Sequence, residues 1–137
     1  MPEKLKSTYE PIVPNENYPI TPFLRVSKVM IVDPQWKHLT ILAIVAYFLM
    51  FERALASRTN PRFHDRDGYP FIFFSQEELA GLLRVSLPKC RKVLAELEGA
   101  ELIRRVHSYL TLPDMIYVRY FGSPIYEVDH SEETKLE

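Results

Sequence analysis

The chain has 137 residues, 47% of them apolar and 26% charged, which provides for one hydrophobic core and is too little for two. A single cysteine, Cys90, excludes an internal disulfide framework, and the longest apolar run, 13 residues from Leu39 to Phe51, falls short of the ~20 needed to cross a bilayer. The formal net charge of −1 hides a division: the last eleven residues hold five acids against Lys135 and carry −4, leaving the preceding 126 residues at +3, a balance that suits an anionic partner.

Residues 1–22 contain Pro2, Pro11, Pro14, Pro19 and Pro22, five of the eleven prolines, a spacing that forbids a helix and predicts an extended arm. No segment there has the charged, apolar, small-residue order of a signal peptide, so a reducing cytoplasm is the expected compartment. The ordered body, residues 23–122, opens with FLRVSKVMI. Asp33-Pro34 follows, an N-cap with proline at the first position of a short turn. Thr40 then caps a long helix to about Ser57, apolar on nearly every side through Ala43, Val45, Phe48 and Leu49. A helix apolar all round is buried all round. A domain this small has little left to wrap it, so a second copy is expected to cover part of it.

Asn60-Pro61 stops this helix, Asp67-Gly68 turns the chain, and FIFF, Phe71 to Phe74, reads as a short aromatic strand. DRDG, Asp65 to Gly68, lacks the later ligands of a calcium loop and is read as a turn. Ser75 with Glu78 is a capping box, predicting a helix over Gln76 to Leu83 with Leu79, Leu82 and Leu83 inward. Arg84 to Ser86 is a tight turn, and Ser86 caps the next helix, whose inward stripe is Cys90, Val93, Leu94 and Leu97. LIRRV and MIYVRYF are strands on either side of the loop His107 to Asp114. Residues 123–137 are polar and acidic and read as a linker to a further domain.

Within this series the segment SLPKCRKVLAELE, Ser86 to Glu98, is charged against its own dipole. Lys89, Arg91 and Lys92 lie near the positive helix start and Glu96 and Glu98 near the negative end, each disfavoured by about 0.3–1 kcal/mol. Helix, tight turn, helix and ribbon is the order of a winged helix-turn-helix, an α+β fold whose second helix enters the DNA major groove by its first residues. The inward stripe then leaves Pro88, Lys89, Arg91 and Lys92 outward, where cations meet phosphates or guanine edges. Lys89 stands earliest and is expected to read bases; Arg91 and Lys92 flank the groove and are expected on phosphates. Arg104 and Arg105 alternate sides of the first ribbon strand, one suited to a phosphate and one to the surface. The loop His107 to Asp114 has no Lys, Arg or Gly and makes a poor wing.

The histidines are scattered, no His/Cys pair has zinc spacing, and no nucleophile-base order or glycine-rich phosphate loop occurs. The expectation is a DNA-binding domain without metal, cofactor or enzymatic activity. A winged-helix transcription regulator and a winged helix used for protein-protein contacts are the alternatives.

FLRVSKVM, DPQWKHLTILAIVAYFLMFERALASRTN, DRDGYPFIFFSQEELAGLLRVSLPKCRKVLAELEGAELI and MIYVRYF resemble the amino-terminal domain of the replication initiator protein A family of Gram-positive bacterial plasmids. The resemblance runs from about Phe23 to Phe121. It implies a winged helix that binds repeated origin sites on double-stranded DNA as a homodimer, with host replication proteins engaged through a separate C-terminal domain. By motif it implies that Ser86 starts the recognition helix, that Lys89, Arg91 and Lys92 face DNA, and that Lys28 matches a lysine preceding the long helix. Three positions depart from the family pattern: Glu101 stands where glycine is usual, Ser27 where proline is common, and HSYLTLPD replaces a wing containing glycine and lysine.

Overall fold

The computed structural model describes residues 11–12, 14–18, 22–107 and 112–122. The arm expected over residues 1–22 lies partly outside these; its described residues 11–12 and 14–18 form neither helix nor strand. The acidic segment 123–137 and loop residues 108–111 lie outside the described residues.

Helix α1, Lys28–Val32, was not expected from the sequence. Three of its five residues are β-branched and intrinsically poor helix formers. The Ser27 hydroxyl accepts from the Val29 amide, and buried Met30 anchors the turn in the core. Asp33 then accepts from the Gln35 amide at 3.0 Å and starts the single 3-10 turn Pro34–Trp36, as its cap-proline pair predicts.

Helix α2, Ile41–Ser57, runs through the middle of the domain, with Thr40 as its N-cap. It packs on the next two helices and on the sheet. Ala43, Ile44, Ala46, Tyr47 and Met50 are buried, but Ile41 and Leu55 are exposed, so the domain does not enclose the helix completely. The buried Tyr47 hydroxyl donates to the Arg119 carbonyl, and burial pushes its pKa up. Its ring joins Phe48, Phe51 and Phe121 in an aromatic cluster.

Asn60 caps a 3-10 turn at Pro61–Phe63. The Asp65 carboxylate accepts from the Asp67 and Tyr69 amides, both at 2.9 Å, and Gly68 at φ +89° completes the turn predicted for DRDG. These bonds, that from Tyr69 first, hold the Asp65 carboxyl below its ordinary pKa. Strand β1, Ile72–Phe73, leads to helices α3, Gln76–Leu83, and α4, Leu87–Gly99, and then to strands β2, Ile103–Val106, and β3, Met115–Val118.

The sheet is antiparallel in the order β1-β3-β2, so FIFF becomes a third strand beside the expected two-stranded ribbon. Its register pairs Ile72 and Arg105 with Ile116 on either side of β3, and Arg104 with Tyr117. Strand alternation therefore directs Ile72, Ile103 and Ile116 to the helices, where all three are buried. Phe73 and Tyr117 take the opposite face, against the rings of Phe63 and Phe71.

One inward assignment fails. Leu82 is 54% exposed, whereas Ala80 is buried beside Leu79. At about 100° per residue, an arc centred on Leu79, Ala80 and Leu83 leaves Leu82 pointing sideways.

Candidate nucleic-acid interface

The first turn of α4 is built by its cap. The Ser86 hydroxyl accepts from the Lys89 amide at 3.3 Å, and Pro88 occupies an early helix position where no amide is required. Cys90, Val93, Leu94 and Leu97 are all buried, and burial pushes the Cys90 thiol pKa up. That stripe fixes the rotation of the helix. Ser86, Pro88, Lys89, Arg91 and Lys92 consequently lie together on its exposed side.

The two ends of the inverted charge pattern have different partners. At the acidic end, the Glu96 carboxylate accepts from the amide and hydroxyl of Thr40, locking the N-cap of α2. Glu98 accepts from Arg105 Nε at 3.0 Å and Nη2 at 2.7 Å. The Arg119 guanidinium donates to the Glu101 and Ala100 carbonyls, bringing another cation to the negative end of α4. At the basic end the ammonium groups of Lys89 and Lys92 have no ion-pair partner among the described residues. Arg91 makes one neutral contact, donating from Nε to Gln76 Oε1 at 3.2 Å. The fold gives both acids hydrogen-bond donors, neutral ones for Glu96 and the Arg105 guanidinium for Glu98, and leaves the cations facing solvent.

The remaining predicted site residues are not gathered at this turn. Arg105 faces the helix side and is held by Glu98; Arg104 is exposed on the other sheet face, its guanidinium 5.9 Å from the Tyr117 ring centroid. Lys28 is exposed on α1, which packs on α2 and the Pro34–Trp36 turn. Sequence reasoning missed Gln76, read only as the first residue of a capped helix. Its signal was positional: in a helix-turn-helix the starts of both helices share one surface.

Both helices of the pair close in the same way. Arg84 and Glu101 each adopt φ +59°, with Val85 donating to the Ala80 carbonyl and Leu102 to the Leu97 carbonyl, each at 3.0 Å. This is the Schellman closure, which favours glycine at its left-handed position. Glu101 takes this glycine-favouring conformation itself, and the helix terminates without a glycine there.

Helix α3, a tight turn, helix α4 and a three-stranded sheet define a winged helix-turn-helix domain. The family described as "Replication initiator protein A (RepA) N-terminus" matches residues 22–130, and the chain belongs to it. Among solved structures the fold is similar to one titled "Structure of Rep-DNA complex", at 25% identity and TM-score 0.62 over 84% of this chain and 86% of that one. It is also similar in fold to "N-Terminal domain of DNA binding protein", at 24% identity and TM-score 0.61 over 88% and 94% of the two chains. A third, "Structure of MDR initiator", has 24% identity and TM-score 0.59 over 84% and 88%. No curated protein matches the chain. No helix among the described residues is long and apolar enough to cross a membrane.

Proposed function

We propose that this domain binds double-stranded DNA sequence-specifically at repeated origin sites and thereby starts replication of a plasmid or related mobile element. The first turn of α4 enters the major groove. It acts by binding rather than catalysis, in the cytoplasm and as a homodimer, and host replication proteins are engaged by a region outside the winged helix. The observation that carries the reading is that Lys89, Arg91 and Lys92 keep their charge outward while the acids of the same helix are consumed by Thr40 and Arg105.

A duplex enriched from a random library with the wild-type chain provides the test. Each phosphate contact contributes a slope of about −0.9 to log K against log salt. Lys92→Ala is expected to flatten that slope by roughly one and to weaken all sequences alike. Lys89→Ala is expected to cost about 1–3 kcal/mol at one base pair and relax the preference there. Unchanged slope and affinity in the Lys89→Ala, Lys92→Ala double variant would remove α4 as the DNA-reading element and favour a protein-interaction role.

A further inference from the structure

Arg91 is exposed and carries no ion pair among the described residues, yet its orientation is fixed at Nε by the Gln76 side chain. The backbone of Gln76 is itself held in place. Its backbone carbonyl lies 3.6 Å from the sulfur of buried Cys90, the residue preceding Arg91. The core therefore fixes the start of α3 against α4 at the level from which the Arg91 side chain leaves.

We infer that Gln76 is a positioning residue that presents the Arg91 guanidinium end-on to a guanine, making Arg91 a base reader rather than the phosphate contact its sequence position suggests. The inference rests on the DNA-binding reading above and refines its site. Arginine has two edges able to form paired hydrogen bonds, one using Nε and one using the two terminal nitrogens. Gln76 occupies Nε, so the terminal edge remains, and its two parallel donors match guanine O6 and N7. A neutral amide suits the task better than a carboxylate, since it orients the guanidinium without neutralising it. The Gln76 amide nitrogen keeps its own donors for the phosphate backbone, which accepts such contacts from glutamine.

The probe is the duplex selected by the wild-type chain, with 7-deazaguanine placed in turn at each of its guanines to remove the N7 acceptor. Wild type is expected to lose affinity several-fold or more at one guanine. Arg91→Ala should bind both duplexes equally, and Gln76→Ala should show most of that insensitivity although Arg91 is intact. Gln76→Glu keeps the acceptor for Nε but loses the amide donors and adds a negative charge; it should retain the guanine preference at lower overall affinity. Lys89→Ala should leave sensitivity at this guanine in place. Thermal melts of each chain without DNA confirm folding, which these exposed or half-buried positions should not disturb. Full deazaguanine sensitivity in Gln76→Ala overturns the positioning role, and a guanine preference independent of Arg91 overturns the inference as a whole. A wild-type chain that enriches no sequence defeats this inference and the DNA-reading assignment together.

Discussion

Glu101 shows how a single residue carries strain for its element. Its φ of +59° is a conformation that costs a residue with a Cβ about 1–2 kcal/mol and glycine almost nothing. The closure persists because Leu97 and Leu102, which flank it, are both fully buried. Glu101→Gly should therefore raise stability by about 1 kcal/mol, less than the full strain because glycine also loosens the unfolded chain. For a domain of this size that is an upward shift of a few degrees in the thermal midpoint. An unchanged or lower midpoint would show that contacts of the Glu101 side chain outweigh its backbone. The glutamate was visible in the sequence as a departure from the family's glycine; that it adopts the glycine conformation was not, since backbone angle is settled by the packing on either side.

At the scale of the element, α4 separates binding charge from folding charge. Its sequence alone makes both halves look misplaced. The acidic half is corrected from outside, by Thr40 at the N-cap of α2, Arg105 of β2 and Arg119 beyond β3. The two halves should respond oppositely to truncation. Glu96→Ala, which releases the Thr40 cap of α2, should cost about 1–2 kcal/mol in melts of the chain without DNA. Lys92→Ala should cost nothing there and can gain slightly, because alanine is the better helix former and an unfavourable dipole contact is removed. If Lys92→Ala destabilises as much as Glu96→Ala, the basic turn belongs to the fold and the division of roles is wrong. A different limit appears in α3: Leu79 and Leu83 followed from helical spacing, but the choice of Ala80 over Leu82 depended on where α4 and α2 met it.

For the whole molecule, the central helix α2 is the core element that still leaves apolar side chains exposed. Ile41 is 60% and Leu55 40% exposed on a helix otherwise committed to the core. A twofold contact using this side would match paired DNA half-sites. Sedimentation at tens of micromolar should show a dimer, at least on a two-site duplex, and Ile41→Lys with Leu55→Lys should shift it toward monomer without unfolding the domain. A strict monomer under both conditions would exclude α2 as a dimer surface.

Element identity was written locally. Ser75, Ser86 and Thr40 mark helix starts by supplying side-chain acceptors, Asn60-Pro61 and Asp67-Gly68 mark breaks, and the spacing of Cys90, Val93, Leu94 and Leu97 fixes which side of α4 faces out. These signals act within a few residues, so the chain order of a winged helix-turn-helix and its outward cations were legible without coordinates. Helix α1, the pairing of β1 with β3, the partners of Glu96 and Glu98, and the Gln76–Arg91 contact were not. Helix α1 is a single turn rich in β-branched residues whose anchor, Met30, is supplied by the core, and the other contacts join residues of different elements that meet only when helices and sheet pack, leaving no periodicity in the sequence to read.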